Sequence, residues 1–237
     1  YGLKVIVEAE VITISDGAGG ERKLTVSVKG GERCVSAEEV VMSRGRRPNT
    51  EELGLEKAGV TMNNSGGVIV DKHMRTNVPG VYAVGDAVGR FMLAQVAIAE
   101  GNIAAENAMG LDSEINYKVV PRCIFTSPEV ATVGLTEKQA IENGYGVRVS
   151  RLPLEMNASA HISGQTEGLI KIVVDAKFGE ILGAHIVGPQ ASELIHEIAL
   201  AMKLEATFED LAKSIHIHPT LGEAIRDAAW RLYGLRF

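Results

Sequence analysis

The feature that most constrains the fold of this chain is a pair of apolar runs joined by one short turn. Gly168 to Val174 and Glu180 to Val187 are predicted to be strands, and the turn lies around 175–179. An amphipathic helix is predicted next, over 192–204. Strands that are joined by hairpins and interleaved with helices are typical of an α+β domain with an antiparallel sheet, which is the fold class we expect.

Other patterns predict further elements along the whole chain. Alternating or compact apolar runs predict strands over 4–14, 23–28, 39–42, 68–70, 81–84 and 119–125. Helices are predicted over 51–59, 93–109, from 207 onward and over about 219–233. The sequence TEKQ, which starts at Thr136 and ends at Gln139, matches a capping box and predicts one more helix start.

Composition and charge argue against several classes of protein. The chain has 237 residues, of which 46% are hydrophobic, and a net charge of −6 at pH 7 without a local basic cluster. We therefore expect no binding to nucleic acid or to an anionic membrane surface. We also expect no transmembrane helix, because no run of about 18 uncharged apolar residues is present.

The two cysteines, Cys34 and Cys123, are far apart in sequence and form no CxxC pair. We expect two reduced thiols and a cytoplasmic location, and a disulfide between them has no support in the sequence. The chain begins in a strand-like run without an initiator Met, which suggests a segment of a longer protein.

The segment HIHPTLGE, residues 216–223, contains the first candidate site. Proline suits the first turn of a helix and pushes the preceding residue toward extended geometry, so His218 is predicted to project from a rigid helix start. Glu223, one and a half turns into that helix, can accept a hydrogen bond from the imidazole and raise its basicity. The alternative is a helix-capping histidine beside a surface glutamate. His216 and His218 also have the spacing of metal ligands, but we expect no metal because no third ligand cluster is evident.

A second candidate site lies where the predicted strand 81–84 ends in Gly85 and Asp86. A glycine there lets the backbone approach a ligand, and the aspartate can accept hydrogen bonds from sugar-like hydroxyls. The helix that follows, from about Met92, turns its N-terminus toward the same place, where N–H groups and the helix dipole favour negative charge. The alternative is an ordinary strand and turn in which Asp86 caps a helix.

Taken together and in this order, these segments resemble the pyridine nucleotide-disulfide oxidoreductase family across essentially the whole chain. The matching blocks are GRRPNT (45–50), LGLEKAGV (53–60), TNVPGVYAVGDAV (76–88), MLAQVAIAEGNIAAEN (92–107), VPRCIFTSPEVATVGLTE (120–137), ILGAHIVGPQASELI (181–195) and HIHPTLGEA (216–224). The last block is most similar to the dihydrolipoamide dehydrogenases of the family. Mercuric reductases usually end in adjacent cysteines, and glutathione-type reductases usually carry a Glu-Glu pair where Glu223 is followed by Ala224.

The resemblance implies a homodimer that uses FAD and NAD to oxidise the thiols of a dihydrolipoyl-carrying protein or of a small dithiol. It implies His218 as the active-site base and Glu223 as its orienting partner, with the base acting on the disulfide and flavin of the other subunit. Asp86 would bind the ribityl chain of FAD, and the following helix would face the O2 side of the flavin. The cofactor-binding residues implied in this way are Gly85, Asp86, Met92, Leu93 and Ala94.

The resemblance also implies a domain order, with a tail of the NAD-binding domain over 1–47, the C-terminal part of the FAD-binding domain over 48–115 and a dimerisation domain over 116–237. No GxGxxG and no CxxxxC motif occurs, so both dinucleotide fingerprints and the redox disulfide are missing. We therefore expect the chain alone to be inactive, and its first 115 residues to be less stable because their strands lose sheet neighbours. Two alternatives remain, a mercuric or other disulfide reductase of the same family and a non-catalytic dimerisation fragment.

Overall fold

The computed structural model describes residues 2–234, which form two compact units divided between Pro48 and Asn49. The first unit is a three-stranded antiparallel sheet in the order β1-β2-β3, made of β1 (Glu10–Asp16), β2 (Arg22–Val28) and β3 (Gly31–Ala37). The tight turn between β2 and β3 contains Gly30 with a φ of 106°, a backbone conformation that glycine adopts without steric cost.

Two strand predictions for this unit are wrong in whole or in part. The predicted strand 4–14 begins only at Glu10, and the predicted strand 39–42 has no β structure. Residues 4–9 and 39–42 have no ladder partner within the described part of the unit, whose sheet consists of β1, β2 and β3. A segment with a strand-like sequence but no neighbouring strand cannot form the hydrogen bonds of a sheet.

Residues 51–59 form consecutive turns, so the predicted helix there is wrong. The backbone N–H of Lys57 donates to the carbonyl of Gly54 at 3.0 Å, which is the short-range bond of a turn. Gly54 and Gly59 have φ values of 64° and 72°. Left-handed backbone at Gly54 interrupts a right-handed helix after three residues, whereas at Gly59 it falls at the predicted helix end.

The predicted strands 68–70 and 81–84 are also wrong, because each is reduced to one isolated bridge. Met62 pairs with Val68, and Arg75 pairs with Tyr82. These compact apolar runs have the composition of buried strands, but within the described residues each forms only one isolated β-bridge.

The predicted helix 93–109 is confirmed by a 15-residue helix, α1 (Ala94–Ala108). It buries Val96, Glu100 and Asn107. The Asn107 side-chain amide donates to the carbonyls of His73 at 3.0 Å and of Ser113 at 2.8 Å. These bonds fix α1 to the chain segments before and after it.

The rest of the second unit is built on a five-stranded antiparallel sheet in the order β4-β5-β8-β7-β6. Its strands are β4 (Arg122–Ile124), β5 (Glu129–Gly134), β6 (Val147–Pro153), β7 (Leu169–Asp175) and β8 (Ile181–Gly188). Five helices accompany the sheet: α2 (Glu137–Glu142), α3 (Ala158–Ser163), α4 (Ala191–Lys203), α5 (Phe208–Lys213) and α6 (Glu223–Trp230). The predicted hairpin is β7 with β8, so the antiparallel α+β architecture is confirmed.

Both faces of the interior strand β7 are covered. Ile170 and Ile172 belong to the large apolar core that also contains residues of α4, α5 and α6, whereas Val173 packs with Ala140 of α2 and with Leu182. Successive side chains of a strand point to opposite faces, so this division follows directly from the alternation along β7. Within residues 2–234, no helix is both long and apolar enough to cross a membrane.

Side-chain caps fix the helix starts in this unit. The predicted capping box at the start of α2 is confirmed, because Thr136 accepts from the Gln139 N–H while Gln139 accepts from the Thr136 N–H. An equivalent box joins Thr207 and Asp210 at the start of α5. These reciprocal bonds satisfy N–H groups that have no partner inside the helix.

The last helix begins four residues later than predicted, at Glu223 instead of Pro219. The reason is local, because the Thr220 N–H donates to the Glu223 carboxylate at 3.0 Å and the Thr220 hydroxyl donates to the Ile217 carbonyl at 2.7 Å. These bonds form a turn ahead of the helix. Glu223 is therefore the first residue of α6, and not one and a half turns inside it.

Candidate active site around His218 and Glu223

The imidazole of His218 is bonded to the carboxylate of Glu223. Nδ1 of His218 lies 3.1 Å from each of the two carboxylate oxygens. The Glu223 side chain is 8% exposed and the His218 side chain is 72% exposed. The carboxylate is thus held inside the fold, while the ring that it orients can be reached from outside.

Glu223 has two further partners, which keep it in place and ionised. Its carboxylate accepts the backbone N–H of Thr220 at 3.0 Å and the guanidinium Nη2 of Arg226 at 3.3 Å. The hydrogen bond from Thr220 is the largest influence and lowers the pKa of Glu223, and His218 and Arg226 act in the same direction against the opposing effect of burial. A carboxylate in this environment carries its charge at neutral pH.

The segment that carries His218 is anchored from a neighbouring helix. Asn157, which is buried, donates from its side-chain amide to the Thr220 carbonyl at 3.0 Å. Its side-chain oxygen accepts the Ala160 N–H at the start of α3 at 2.9 Å. Asn157 therefore caps α3 and also holds the turn before α6 in place.

This geometry assigns the protons of the imidazole. Because Nδ1 faces a carboxylate, the hydrogen-bond pattern places the proton of the neutral ring on Nδ1. Nε2 of His218 has no hydrogen-bond partner among residues 2–234, so its lone pair is available to accept a proton. A histidine that is oriented by an ionised carboxylate has the properties of a general base near neutral pH.

His216 does not share the partners of His218. Its Nε2 lies 2.9 Å from Glu197 and its Nδ1 lies 3.1 Å from the Ser214 carbonyl. Among residues 2–234, no group of three or more His, Cys, Asp or Glu side chains is placed to hold a metal ion. Cys34 and Cys123 are both unpaired thiols, as predicted.

Gly85 and Asp86 lie in a short 3₁₀ turn, Gly85–Ala87, that packs against α1. Gly85 has a φ of 66°, and a Cβ atom built there would lie 2.9 Å from the Cβ of Ala97. Glycine is therefore required for close approach of the helix as well as for its backbone angle. Asp86 is exposed.

The predicted helix start at 92–94 is confirmed to within two residues, because α1 begins at Ala94. Met92 has a φ of 52° and Leu93 is extended, which turns the chain sharply into the helix. The first N–H groups of a helix have no acceptor inside the helix. Free N–H groups at the positive end of a helix favour an electronegative ligand atom, so the geometry fits the predicted cofactor contact.

Two residues beside this turn were not predicted as functional. Glu100, in α1, accepts hydrogen bonds from the Gly85 N–H and from the Tyr117 hydroxyl, both at 2.6 Å. The only sequence signal for Glu100 is the presence of an acidic residue in an Ala-rich helix. Neither of its donors, Gly85 and Tyr117, is close to it in sequence.

Two family descriptions match this chain. "Pyridine nucleotide-disulphide oxidoreductase, dimerisation domain" matches residues 120–229, and "Pyridine nucleotide-disulphide oxidoreductase" matches residues 1–101. The chain belongs to the pyridine nucleotide-disulphide oxidoreductase family. The dimerisation model covers the five-stranded sheet, α2 to α5 and most of α6, including His218 and Glu223.

Curated relatives in this family carry the name dihydrolipoyl dehydrogenase. One from Mycobacterium leprae is 40% identical over 235 residues, which is 98% of this chain and 50% of that protein. Another from Bacillus subtilis is 44% identical over 206 residues, which is 87% of this chain and 44% of that protein. The chain spans about half the length of the curated relatives that it matches.

Solved structures of the family have the same fold over nearly the whole chain. LpdA from Mycobacterium tuberculosis has a TM-score of 0.88 at 34% identity, with 98% of this chain and 50% of that chain covered. The HOCl-induced flavoprotein disulfide reductase RclA from Escherichia coli has a TM-score of 0.85 at 27% identity, with 95% of this chain and 51% of that chain covered.

Proposed function

We propose that these 237 residues supply the acid–base half of a dihydrolipoyl dehydrogenase, an enzyme that oxidises dihydrolipoyl thiols with FAD and NAD. The observation that carries the proposal is the bond between Nδ1 of His218 and the buried carboxylate of Glu223, which leaves Nε2 open to solvent. The relatives named dihydrolipoyl dehydrogenase support this substrate class. The redox cysteines and dinucleotide fingerprints would lie outside these residues, which contain neither CxxxxC nor GxGxxG.

The chemical role of the pair follows from thiol ionisation. A thiol with a pKa of about 8.5 is mostly protonated at neutral pH, and the thiolate is the species that attacks a disulfide. Nε2 of His218 would accept the proton from a dihydrolipoyl sulfur, which leaves a thiolate and an imidazolium. Glu223 would stabilise the imidazolium through the Nδ1–H bond and hold the ring in place. The thiolate would then attack the redox disulfide, which these residues do not contain, and reduce it by thiol–disulfide exchange. Bound FAD would supply two-electron transfer from the reduced cysteine pair to NAD⁺.

The turn before α1 would contribute to the FAD site. Gly85 would let the backbone approach the cofactor, and Asp86 would accept hydrogen bonds from the ribityl hydroxyls. Met92, Leu93 and Ala94 would present the start of α1 to the O2 side of the flavin, where the positive end of the helix dipole favours negative charge. The exposed position of Asp86 and the sharp turn at Met92 into α1 support this assignment.

A homodimer would give the base its target. Ile215 is fully exposed and Ile217 is 80% exposed, so the exposed imidazole of His218 is flanked by apolar side chains. Exposed apolar surface beside a functional group is typical of an interface between proteins. We place the disulfide and flavin that His218 serves in the partner subunit, and a dihydrolipoyl-carrying protein or small dithiol as the substrate.

The domain boundaries that we propose are those predicted from the sequence. Residues 1–47 would be the tail of an NAD-binding domain, 48–115 the C-terminal part of an FAD-binding domain, and 116–237 the dimerisation domain. A cytoplasmic location is part of the same proposal and is supported by the unpaired Cys34 and Cys123 thiols.

The test is to purify the natural gene product that contains this chain and to measure its flavin absorbance and substrate preference. We expect a yellow protein that reduces NAD⁺ with dihydrolipoamide faster than it reduces mercuric ion or glutathione disulfide with a reduced nicotinamide. The 237-residue chain alone, as the matched control, is expected to bind FAD poorly and to oxidise no dihydrolipoamide. Preference for mercuric ion or glutathione disulfide would favour the alternative reductase. A 237-residue chain that is yellow and active would contradict the proposal that these residues supply only the acid–base half of the enzyme.

A further inference from the structure

A buried carboxylate lies directly beneath the proposed flavin-binding turn. Glu100 of α1 is 1% exposed. Its Oε2 accepts the backbone N–H of Gly85 at 2.6 Å, and its Oε1 accepts the hydroxyl of Tyr117 at 2.6 Å. Burying a carboxylate is costly unless its oxygens are hydrogen-bonded, so the two donors are the reason that Glu100 can occupy this position.

Tyr117 is itself held in a stack of side chains. Its ring lies 4.9 Å from the ring of Phe91, and the guanidinium of Arg90 lies 4.2 Å from its centre. Burial is the main cause that raises the pKa of Tyr117, and the hydrogen bond to Glu100 adds to it. The phenol therefore remains a neutral donor, and its ring contacts the residue immediately before Met92.

These contacts connect both parts of the proposed cofactor site. Glu100 holds the Gly85–Asp86 turn through the backbone, and Tyr117 holds Phe91, which leads into Met92, Leu93 and α1. We propose that Glu100 and Tyr117 form a brace that fixes the relative position of the two flavin-contacting segments, with Glu100 as a positioning residue. The brace rests on the proposed function, because it acts on the FAD site assigned there.

The chemistry of the brace predicts a graded series of variants. Both neighbours of Glu100 are donors, so an acceptor is needed on each oxygen. Glutamine retains one acceptor for the Gly85 N–H and can donate its amide to the Tyr117 oxygen. Alanine provides neither contact, and Tyr117→Phe removes one of the two bonds while keeping the ring stack.

The first measurement needs no bound cofactor. In the gene product with FAD removed, hydrogen exchange of peptides that cover 81–92 is compared for the wild type, Glu100→Ala and Glu100→Gln. We expect faster exchange of the Gly85 amide in Glu100→Ala and nearly wild-type exchange in Glu100→Gln. Glu106→Gln, an exposed acidic position on the same helix, is the control and is expected to leave exchange unchanged.

The second measurement is the dissociation constant of FAD, at a temperature where every variant is folded. Loss of hydrogen bonds to a charged group predicts an increase of roughly 10- to 100-fold for Glu100→Ala, about 10-fold or less for Tyr117→Phe, and a few-fold for Glu100→Gln. Glu106→Gln is expected to bind FAD like the wild type. If Glu100→Ala does not fold, Tyr117→Phe and Glu100→Gln decide the result by the same criterion.

Asp86→Ala separates failure of the brace from failure of the cofactor site. Weaker FAD binding in Asp86→Ala with wild-type binding in the folded Glu100 and Tyr117 variants would overturn the brace and leave the cofactor site standing. Wild-type binding in all of these variants, Asp86→Ala included, would overturn the cofactor site as well.

Discussion

The two sheets of this chain differ in what covers them. In the three-stranded sheet Val26 is buried, while Ile12, Ile14 and Val35 are between 40% and 48% exposed. In the five-stranded sheet, Ile170, Ile172, Val173 and Val174 of β7 have no exposed surface. The comparison shows that strand formation follows from a local apolar pattern, whereas a core requires helices that pack on the sheet from elsewhere in the sequence.

The largest effect that we expect is from Ile172→Ala in β7. Removing a fully buried isoleucine side chain costs about 2–5 kcal/mol of unfolding free energy, whereas a substitution at a partly exposed strand position such as Ile14→Ala in β1 changes stability by about 0.5 kcal/mol or less. Trp230, the only tryptophan, lies in α6, so its fluorescence during urea unfolding follows the five-stranded domain. The effect of Ile14→Ala is measured by hydrogen exchange in β1 to β3, because Ile14 lies in the first unit. Equal losses of stability for the two substitutions, each measured in its own sheet, would show that the covered and uncovered sheets do not differ as described.

A smaller effect is expected from Glu223→Gln, and it should depend on pH. The folded-state pKa of Glu223 is below its ordinary value of 4.5, so its ionised form stabilises the fold above pH 4.5, and this stabilisation is lost as the pH falls through the folded-state pKa. Removing the charge of a buried, hydrogen-bonded group costs about 1–3 kcal/mol at pH 7. The difference from the wild type in unfolding free energy, measured by Trp230 fluorescence, should therefore narrow below pH 4.5.

Glu155→Gln is the matched control for this pH dependence, because Glu155 is an exposed acidic residue of the same domain. It should show a small difference from the wild type at every pH. A Glu223→Gln difference that stays constant from pH 7 to pH 3 would mean that the charge of Glu223 does not stabilise the five-stranded domain.

The smallest effect of the series is expected from Thr136→Ala, which removes the capping box of α2. Loss of an N-cap side chain costs about 1 kcal/mol. The Trp230 transition should move to lower urea concentration by the corresponding amount, while hydrogen exchange in β1 to β3 stays at the wild-type rate. Faster exchange in those strands would show that the two sheets are coupled in stability, so the difference between them could not be assigned to the helices that cover one sheet.

Local signals predicted much of the fold. The β7–β8 hairpin, helix α1 and the capping box at Thr136 each depend on residues that are close in sequence, and all three were predicted. The bond between His218 and Glu223 is also local, and its geometry matches the predicted orientation of the ring although the helix starts later than expected. A turn held by the Thr220 hydroxyl is the detail that displaced the helix start.

The failures depend on partners that are distant in sequence. The apolar segments 68–70 and 81–84 have the composition of strands, but a strand also requires a ladder partner, and composition does not identify one. Glu100 gave no clear signal because its donors, Gly85 and Tyr117, are 15 and 17 residues away. The helix predicted over 51–59 failed for a different reason, since the positive φ of Gly54 lies inside the predicted helix and interrupts it.

The central claim is that His218, oriented by Glu223, removes protons from sulfur. The most direct test is the rate of dihydrolipoamide oxidation by the gene product with His218→Gln, compared with His216→Gln as a neighbouring histidine that has its own carboxylate partner. Loss of a general base predicts a decrease of roughly 10²- to 10⁴-fold for His218→Gln, with flavin absorbance and Trp230 fluorescence unchanged, and a nearly wild-type rate for His216→Gln. A wild-type rate in His218→Gln would contradict the account.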